Sequence, residues 1–268
     1  MKPQSREWYE LLASVQRGYY YPWRSRVEPG NGEAAYTSLV TKHLAADLDV
    51  VDCGCGHGAD ALGWARRVRS VVAFDRVRPY VELAEQARLE QGVTNVRFVL
   101  ADSAPRANSG TARLPVPDHS IDLFLSRRGP RHWVADTRRA GRPNAVLIQL
   151  NPVAGDLPTW AHELPHSLRI EMPEGGRVSD LLADLVTPLA EAGAKLVAWW
   201  SFDVPEWFGS PQDLYTFLIW GRTPARVPGY DAVRSELEEL FSRHAGPEGL
   251  AIRHRRFLSK AALASRSA

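Results

Sequence analysis

The segment Val50-Val-Asp-Cys-Gly-Cys-Gly-His-Gly-Ala-Asp60 constrains the fold more than any other part of the chain. A short apolar run ends in three alternate glycines, Gly54, Gly56 and Gly58, and a helical pattern follows at once. A buried strand that turns straight into a helix needs backbone conformations and close approaches that a Cβ would block, and glycine supplies both. In an open α/β sheet such a turn lies at the carboxyl edge of the first strand, where ligands bind. A plain turn needs one such glycine; three in alternation point to a ligand.

The rest of the chain sets this strand in a series. Residues 48–53, 70–74, 95–101, 120–125 and 145–150 read as strands, separated by helical patterns at 59–68, 78–91 and 131–140. That alternation implies right-handed crossovers and a parallel sheet covered on both faces, a doubly wound α/β fold. After residue 151 the rhythm loosens. A Pro-rich loop (152–176) precedes a helix at 178–192, a strand at 195–202, a helix capped by Ser210 and running through Trp220, a helix at 230–244 and a last strand at 250–258. Mixed helical patterns at 5–16 and 33–46 flank an aromatic and basic loop, 18–32, containing Tyr19, Tyr20, Tyr21 and Trp23. The chain therefore divides into 1–46, helices and an aromatic lid loop; 47–151, the ligand-binding core; and 152–268, which completes the same sheet with helical insertions.

At 268 residues the chain is long enough for one large α/β domain or a core with an appendage. Its 33 basic and 31 acidic residues leave a net charge of +2, which gives no general reason to expect nucleic acid or an anionic membrane. No apolar stretch is long enough to span a bilayer. Cys53 and Cys55 sit too close in sequence for ordinary disulfide geometry and are too few for a structural zinc site, so a reducing cytoplasm is expected. Cys53-x-Cys55-x-His57 looks ligand-like, yet within the glycine turn its side chains point to opposite sides, and no metal is expected.

The run Gly54-x-Gly56-x-x-Ala59 is a degenerate dinucleotide fingerprint, but Asp52 stands against that ligand. A carboxylate there would repel a pyrophosphate and suits a ligand bearing an ammonium or sulfonium group. Asp75 ends the second strand, where an acid accepts hydrogen bonds from both ribose hydroxyls. Asp102, in Asp102-Ser103 at the end of the third strand, is placed to accept from an adenine amino group.

In this ordered set the chain resembles the class I S-adenosylmethionine-dependent methyltransferases. The resemblance rests on Asp52-x-Gly54-x-Gly56-x-Gly58, Asp75, Asp102-Ser103 and Ser120-Ile-Asp122-Leu-Phe-Leu125. It implies a seven-stranded, mostly parallel sheet with helices on both faces and an antiparallel last strand inserted beside the strand at 195–202. It also implies S-adenosylmethionine as cofactor, with Gly54, Gly56 and Gly58 at its methionine end, Asp75 at the ribose and Asp102 at the adenine. Arg76, Ser103 and Ser126 join Asp52 in that cofactor set.

The acceptor is expected over the ends of the fourth and fifth strands. There the Asn/Asp-Pro-Pro-Tyr/Phe motif of many amino-methyltransferases is absent. Arg127 and Arg128 could bind a carboxylate or phosphate, with Trp133 and Tyr21 as aromatic neighbours and His132 as a candidate base. The expected acceptor is an anionic or aromatic small molecule. Six arginines between Arg127 and Arg142, and the run Arg253-His-Arg-Arg256, keep an RNA acceptor as the alternative. A catalytically silent cofactor-binding protein is another, since no convincing base stands out; an NAD-dependent oxidoreductase is disfavoured by Asp52 and Gly58.

Overall fold

The computed structural model describes residues 6–15, 18, 21–153, 157–169, 178–220 and 222–265. Tyr19 and Tyr20, and much of the Pro-rich stretch (154–156 and 170–176), lie outside the described residues. The chain divides into two units, each made of three chain segments. The larger contains Gly32–Pro152, Val178–Ser201 and Arg256–Ala268; the smaller contains Met1–Asn31, Val153–Arg177 and Phe202–Arg255. Helix α1 (Arg6–Val15) and strand β1 (Ser25–Val27) come first in the chain and belong to the smaller unit.

In the larger unit, α2 (Glu33–Thr41) leads to β2 (Asp49–Cys53), α3 (Ala59–Ala65), β3 (Ser70–Asp75), α4 (Arg78–Glu90), β4 (Val96–Leu100) and β5 (Ile121–Arg127). Then come α5 (Thr137–Ala140), β6 (Gly141–Pro152), α6 (Val178–Glu191), the first part of β7 (Ala194–Phe208) and the last part of β8 (Leu250–Leu263). The strand order is β7–β8–β6–β5–β2–β3–β4. Neighbouring pairs from β6 to β4 are parallel, and β8 runs antiparallel to β6. The inserted antiparallel strand is therefore where the resemblance implied it.

The central strands read as unbroken apolar runs because both faces are covered. Val50, Val51 and Cys53 of β2 and Leu123, Phe124 and Leu125 of β5 are all buried. The expected helix at 131–140 is instead a 3-10 segment, His132–Asp136, followed by the single turn of α5. Asp136 explains the break. Its carboxylate accepts from the Leu114 N–H at 2.7 Å and from Arg139 Nε at 2.9 Å, and so ties this segment to the loop before β5.

The smaller unit holds β1, the end of β7, α7 (Pro211–Ile219), α8 (Tyr230–His244) and the start of β8. Ser210 caps α7 by accepting the Asp213 N–H at 3.1 Å. Phe208, Leu214, Leu218, Val233, Leu237 and Leu240 form its core, against which Trp23 and Phe217 pack. Most of the aromatics at 207–220 thus serve packing, and Trp23 joins them edge-on to Phe217 at 5.2 Å and Trp220 at 5.5 Å. Strand β1 is an eighth strand within the stretch read as a loop. It pairs antiparallel with Glu206–Phe208. Three residues carry no readable periodicity; only the partner strand makes them a strand.

Candidate functional site

The glycine turn closes the carboxyl end of β2 and is fastened to β3. The Gly54 and Cys55 N–H groups both donate to Phe74 O at 3.0 Å. Gly54, Gly56 and Gly58 have φ of 80°, 53° and 82°, the left-handed region that L side chains rarely adopt. Their surroundings differ. A Cβ on Gly58 would lie 2.6 Å from the Phe98 ring and 2.7 Å from Ala84 Cβ, so this glycine lets α3 pack against its neighbours. A Cβ on Gly54 would meet Pro130 Cδ at 3.0 Å, whereas one on Gly56 would meet nothing within 4 Å. Gly56 alone of the three faces open space.

Asp75 is bound into this turn. Its Oδ2 accepts the Gly56 N–H at 2.9 Å and its Oδ1 accepts the Val77 N–H at 2.9 Å, which opens α4. Each oxygen keeps a lone pair for a further donor. Burial raises the Asp75 pKa, and the two N–H groups and Arg76 oppose that rise. Asp102 follows at the next strand end, where its Oδ1 accepts the Ala104 N–H at 2.9 Å. Arg76 Nη1 lies 3.9 Å from Asp102 Oδ2, and His132 Nε2 lies 4.0 Å from Asp102 Oδ1. Burial lowers the His132 pKa, and the charge of Asp102 opposes that fall. Asp75, Arg76, Asp102 and His132 therefore form one group along the ends of β3 and β4, with the Ser103 hydroxyl buried beside them and unpartnered.

A second group stands on the other side of the turn. Asp52 is buried, and burial first, then the charge of Asp60, pushes its pKa well up. The Tyr36 hydroxyl is buried without a hydrogen-bond partner, and the Asp52 charge adds to the rise in its pKa. Arg127 ends β5 and grips Asp60, Nε to Oδ2 at 2.8 Å and Nη2 to Oδ1 at 3.0 Å, while its Nη1 donates to Glu33 Oε2 at 3.2 Å. His57, half-buried, is held below its ordinary pKa by burial and by Arg127.

Three expectations are corrected. Ser126 is fully buried and its hydroxyl donates to Cys53 O at 2.9 Å, tying β5 to the end of β2. Its hydroxyl proton is spent inside the sheet. Trp133 is also fully buried, stacked on Phe124 at 6.1 Å, and belongs to the core rather than to an acceptor wall. Arg127, expected to bind an anionic acceptor, is instead occupied by Asp60 and Glu33. Tyr21 lies in the smaller unit, stacked on Trp23 at 4.6 Å.

The basic runs also dissolve into local pairs. Arg139 pairs with Asp136 and Asp118, and Arg142 with Asp49 and Asp122. Arg253 and Arg255 share Asp203, His254 bonds Glu206, and Arg256 faces Glu33.

Several site residues escaped the sequence reading. Gly129 allows its loop to cross β2 closely, since a Cβ there would lie 2.5 Å from Cys53 O; its Gly-Pro pair after a strand was the available signal. Glu33 and Asp60 each open a helix after a glycine, a visible pattern with no visible partner. Tyr36 gave no signal, and Arg256 was visible only as one member of a basic run.

The fold and the family match over part of the chain support a class I methyltransferase domain. A model of the methyltransferase domain family matches residues 50–144. The chain is 33% identical over 119 residues to the uncharacterized methyltransferase YcgJ of Bacillus subtilis, covering 44% of this chain and 43% of that protein. It is 43% identical over 106 residues to a 2-heptyl-1-hydroxyquinolin-4(1H)-one methyltransferase of Mycobacteroides abscessus, covering 38% of this chain and 45% of that protein. The match thus spans less than half the length of these curated relatives. A functionally unknown protein from Deinococcus radiodurans has the same fold at TM-score 0.64 and 20% identity, over 96% of this chain and 99% of that one. The crystal structure of YcgJ superposes at TM-score 0.55 and 18% identity, over 87% of this chain and all of that one.

Proposed function

We propose that this chain is an S-adenosylmethionine-dependent methyltransferase acting on a small molecule in the cytoplasm. The observation that carries the reading is the bond from the Gly56 N–H to Asp75 at 2.9 Å, beside the open space over Gly56. It joins the glycine turn and the second-strand acid into one cradle at the carboxyl ends of β2 and β3, beside the point where the strand order reverses. A Cβ at position 56 would meet no protein atom within 4 Å.

When bound, the cofactor supplies an electrophilic methyl group on a sulfonium. The work left to the protein is alignment and charge matching. In this reading Asp75 uses its remaining lone pairs for the ribose hydroxyls, and Asp102 holds the adenine amino group with Arg76 and His132 around it. A cationic group that settles near Asp52, under the turn, favours its ionised form, because an opposite charge offsets the cost of burial. The pairing of the basic runs disfavours RNA.

The name of the M. abscessus relative states that it methylates a hydroxyquinolone, so aromatic hydroxyl compounds head the acceptor panel. The first experiment is calorimetric titration with S-adenosylmethionine, S-adenosylhomocysteine and NAD, followed by labelled methyl transfer to that panel. Binding of the first two but not NAD, weakened in Asp75→Ala, supports the reading. Silence with both from folded protein refutes it, and binding without transfer to any acceptor leaves the silent binding protein as the better description.

A further inference from the structure

Three guanidiniums in the larger unit, those of Arg127, Arg128 and Arg256, gather around the single carboxylate of Glu33. Arg127 is well satisfied, since it also donates a hydrogen bond to Asp60 Oδ1 at 3.0 Å and sets its Nε 2.8 Å from Asp60 Oδ2. Glu33 turns Oε2 to Arg127 at 3.2 Å and leaves Oε1 between Arg128 Nε at 3.9 Å and Arg256 Nη2 at 3.7 Å. Both separations exceed a hydrogen bond.

Arg256 is the anomaly. It is only 5% exposed, its Nε is buried with no partner, and its guanidinium donates no hydrogen bond among the described residues. A buried guanidinium is expensive unless acids and acceptors compensate it. Of the three guanidiniums, that of Arg256 is the most buried.

Its position gives the anomaly a use. Arg256 pairs in register with Pro152 at the carboxyl end of β6, and Arg127 and Arg128 stand at the carboxyl end of β5. Ligands of an open α/β sheet bind outside those strand ends. Resting on the methyltransferase reading, we propose that Arg256, with Arg128, is the subsite for a carboxylate on the methyl acceptor. Glu33 stands in as a distant counter-ion in the absence of that group and keeps Arg127 when it arrives. The planar fork of arginine suits a carboxylate held through two parallel hydrogen bonds.

The test uses the whole chain saturated with S-adenosylhomocysteine, titrated with benzoate and with its neutral isostere benzamide by ligand-observed NMR. Wild type should favour benzoate by about tenfold. Arg256→Gln should lose that preference and Arg256→Lys should keep part of it. Glu33→Gln should strengthen it, since a competing carboxylate is removed, and misfolding cannot mimic such a gain. Benzamide binding should not change. Equal binding of the two probes to wild type, or a preference that survives Arg256→Gln, overturns the proposal.

The cofactor also carries a carboxylate, and a second arm separates the two sources. If Arg256→Gln weakens S-adenosylhomocysteine but not 5′-methylthioadenosine, which lacks the amino-acid group, Arg256 holds the cofactor and the acceptor subsite is refuted. If wild type does not bind S-adenosylhomocysteine, the cofactor reading fails. The benzoate–benzamide comparison made without it then still decides the anion subsite.

Discussion

Gly56 and Gly58 share a turn and a left-handed backbone, yet alanine at each should fail in a different way. At Gly58 the cost has two parts. Holding alanine at φ 82° costs about 1–2 kcal/mol. The new Cβ would sit 2.6 Å from the Phe98 ring and 2.7 Å from Ala84 Cβ, and overpacking of that kind costs about 1–3 kcal/mol. Phe98 can rotate away, but Ala84 moves only with α4, so the second part persists. The total, about 2–5 kcal/mol, should lower Tm by roughly 4 to 20 °C in a chain of this size. At Gly56, φ is 53° and no atom lies within 4 Å, so only the backbone part applies and Tm should fall by no more than about 8 °C. That methyl, however, projects into the space assigned to the cofactor. Gly56→Ala should weaken S-adenosylhomocysteine by at least about tenfold, since a rigidly placed methyl clashes with a ligand held there. Calorimetry and thermal melts on the two variants read both effects. A Gly58→Ala protein as stable as wild type, or a Gly56→Ala protein that binds normally, would refute the reasoning.

Three further outcomes follow from the same geometry. Asp75→Asn should weaken S-adenosylhomocysteine by about ten- to a hundredfold, the value of hydrogen bonds to a charged group. Because burial raises the Asp75 pKa and binding uses the ionised form, wild-type affinity should fall as pH drops, with a midpoint above the ordinary aspartate value of about 3.9, and Asp75→Asn should lack that acid limb. Ser126→Ala should cost about 1 kcal/mol of stability through the lost bond to Cys53 O and leave cofactor affinity unchanged; a large loss of affinity would restore Ser126 to the cofactor site. The raised Asp52 pKa means its contribution to stability is present in acid and lost as pH rises through the folded-state value. Asp52→Asn should therefore raise Tm more at pH 7 than at pH 4, and an equal gain at both would count against the burial argument.

The sequence by itself determined the parallel core and the glycine turn. Val50–Cys53 and 121–125 announce themselves because strands covered on both faces are continuous apolar runs, and the turn announces itself because only glycine adopts its conformations without strain. Asp75 and Asp102 follow from register, being the acids that end consecutive strands. All of these are signals between residues close in the chain.

What only the tertiary structure decided lies in pairings across distance. Strand β1 exists because Glu206–Phe208 offers it a partner, and Gly58 is a packing residue because Phe98 and Ala84 stand over it. Ser126 and Trp133 were read as cofactor and acceptor residues and proved buried, Ser126 bonded to Cys53 O and Trp133 stacked on Phe124. Arg127 looked free for substrate and proved spent on Asp60 and Glu33, while Arg256, hidden in a basic run, emerged as the least satisfied cation. A charge is legible in a sequence; whether it is neutralised depends on which distant acid the fold brings within about 4 Å, where the interaction becomes strong.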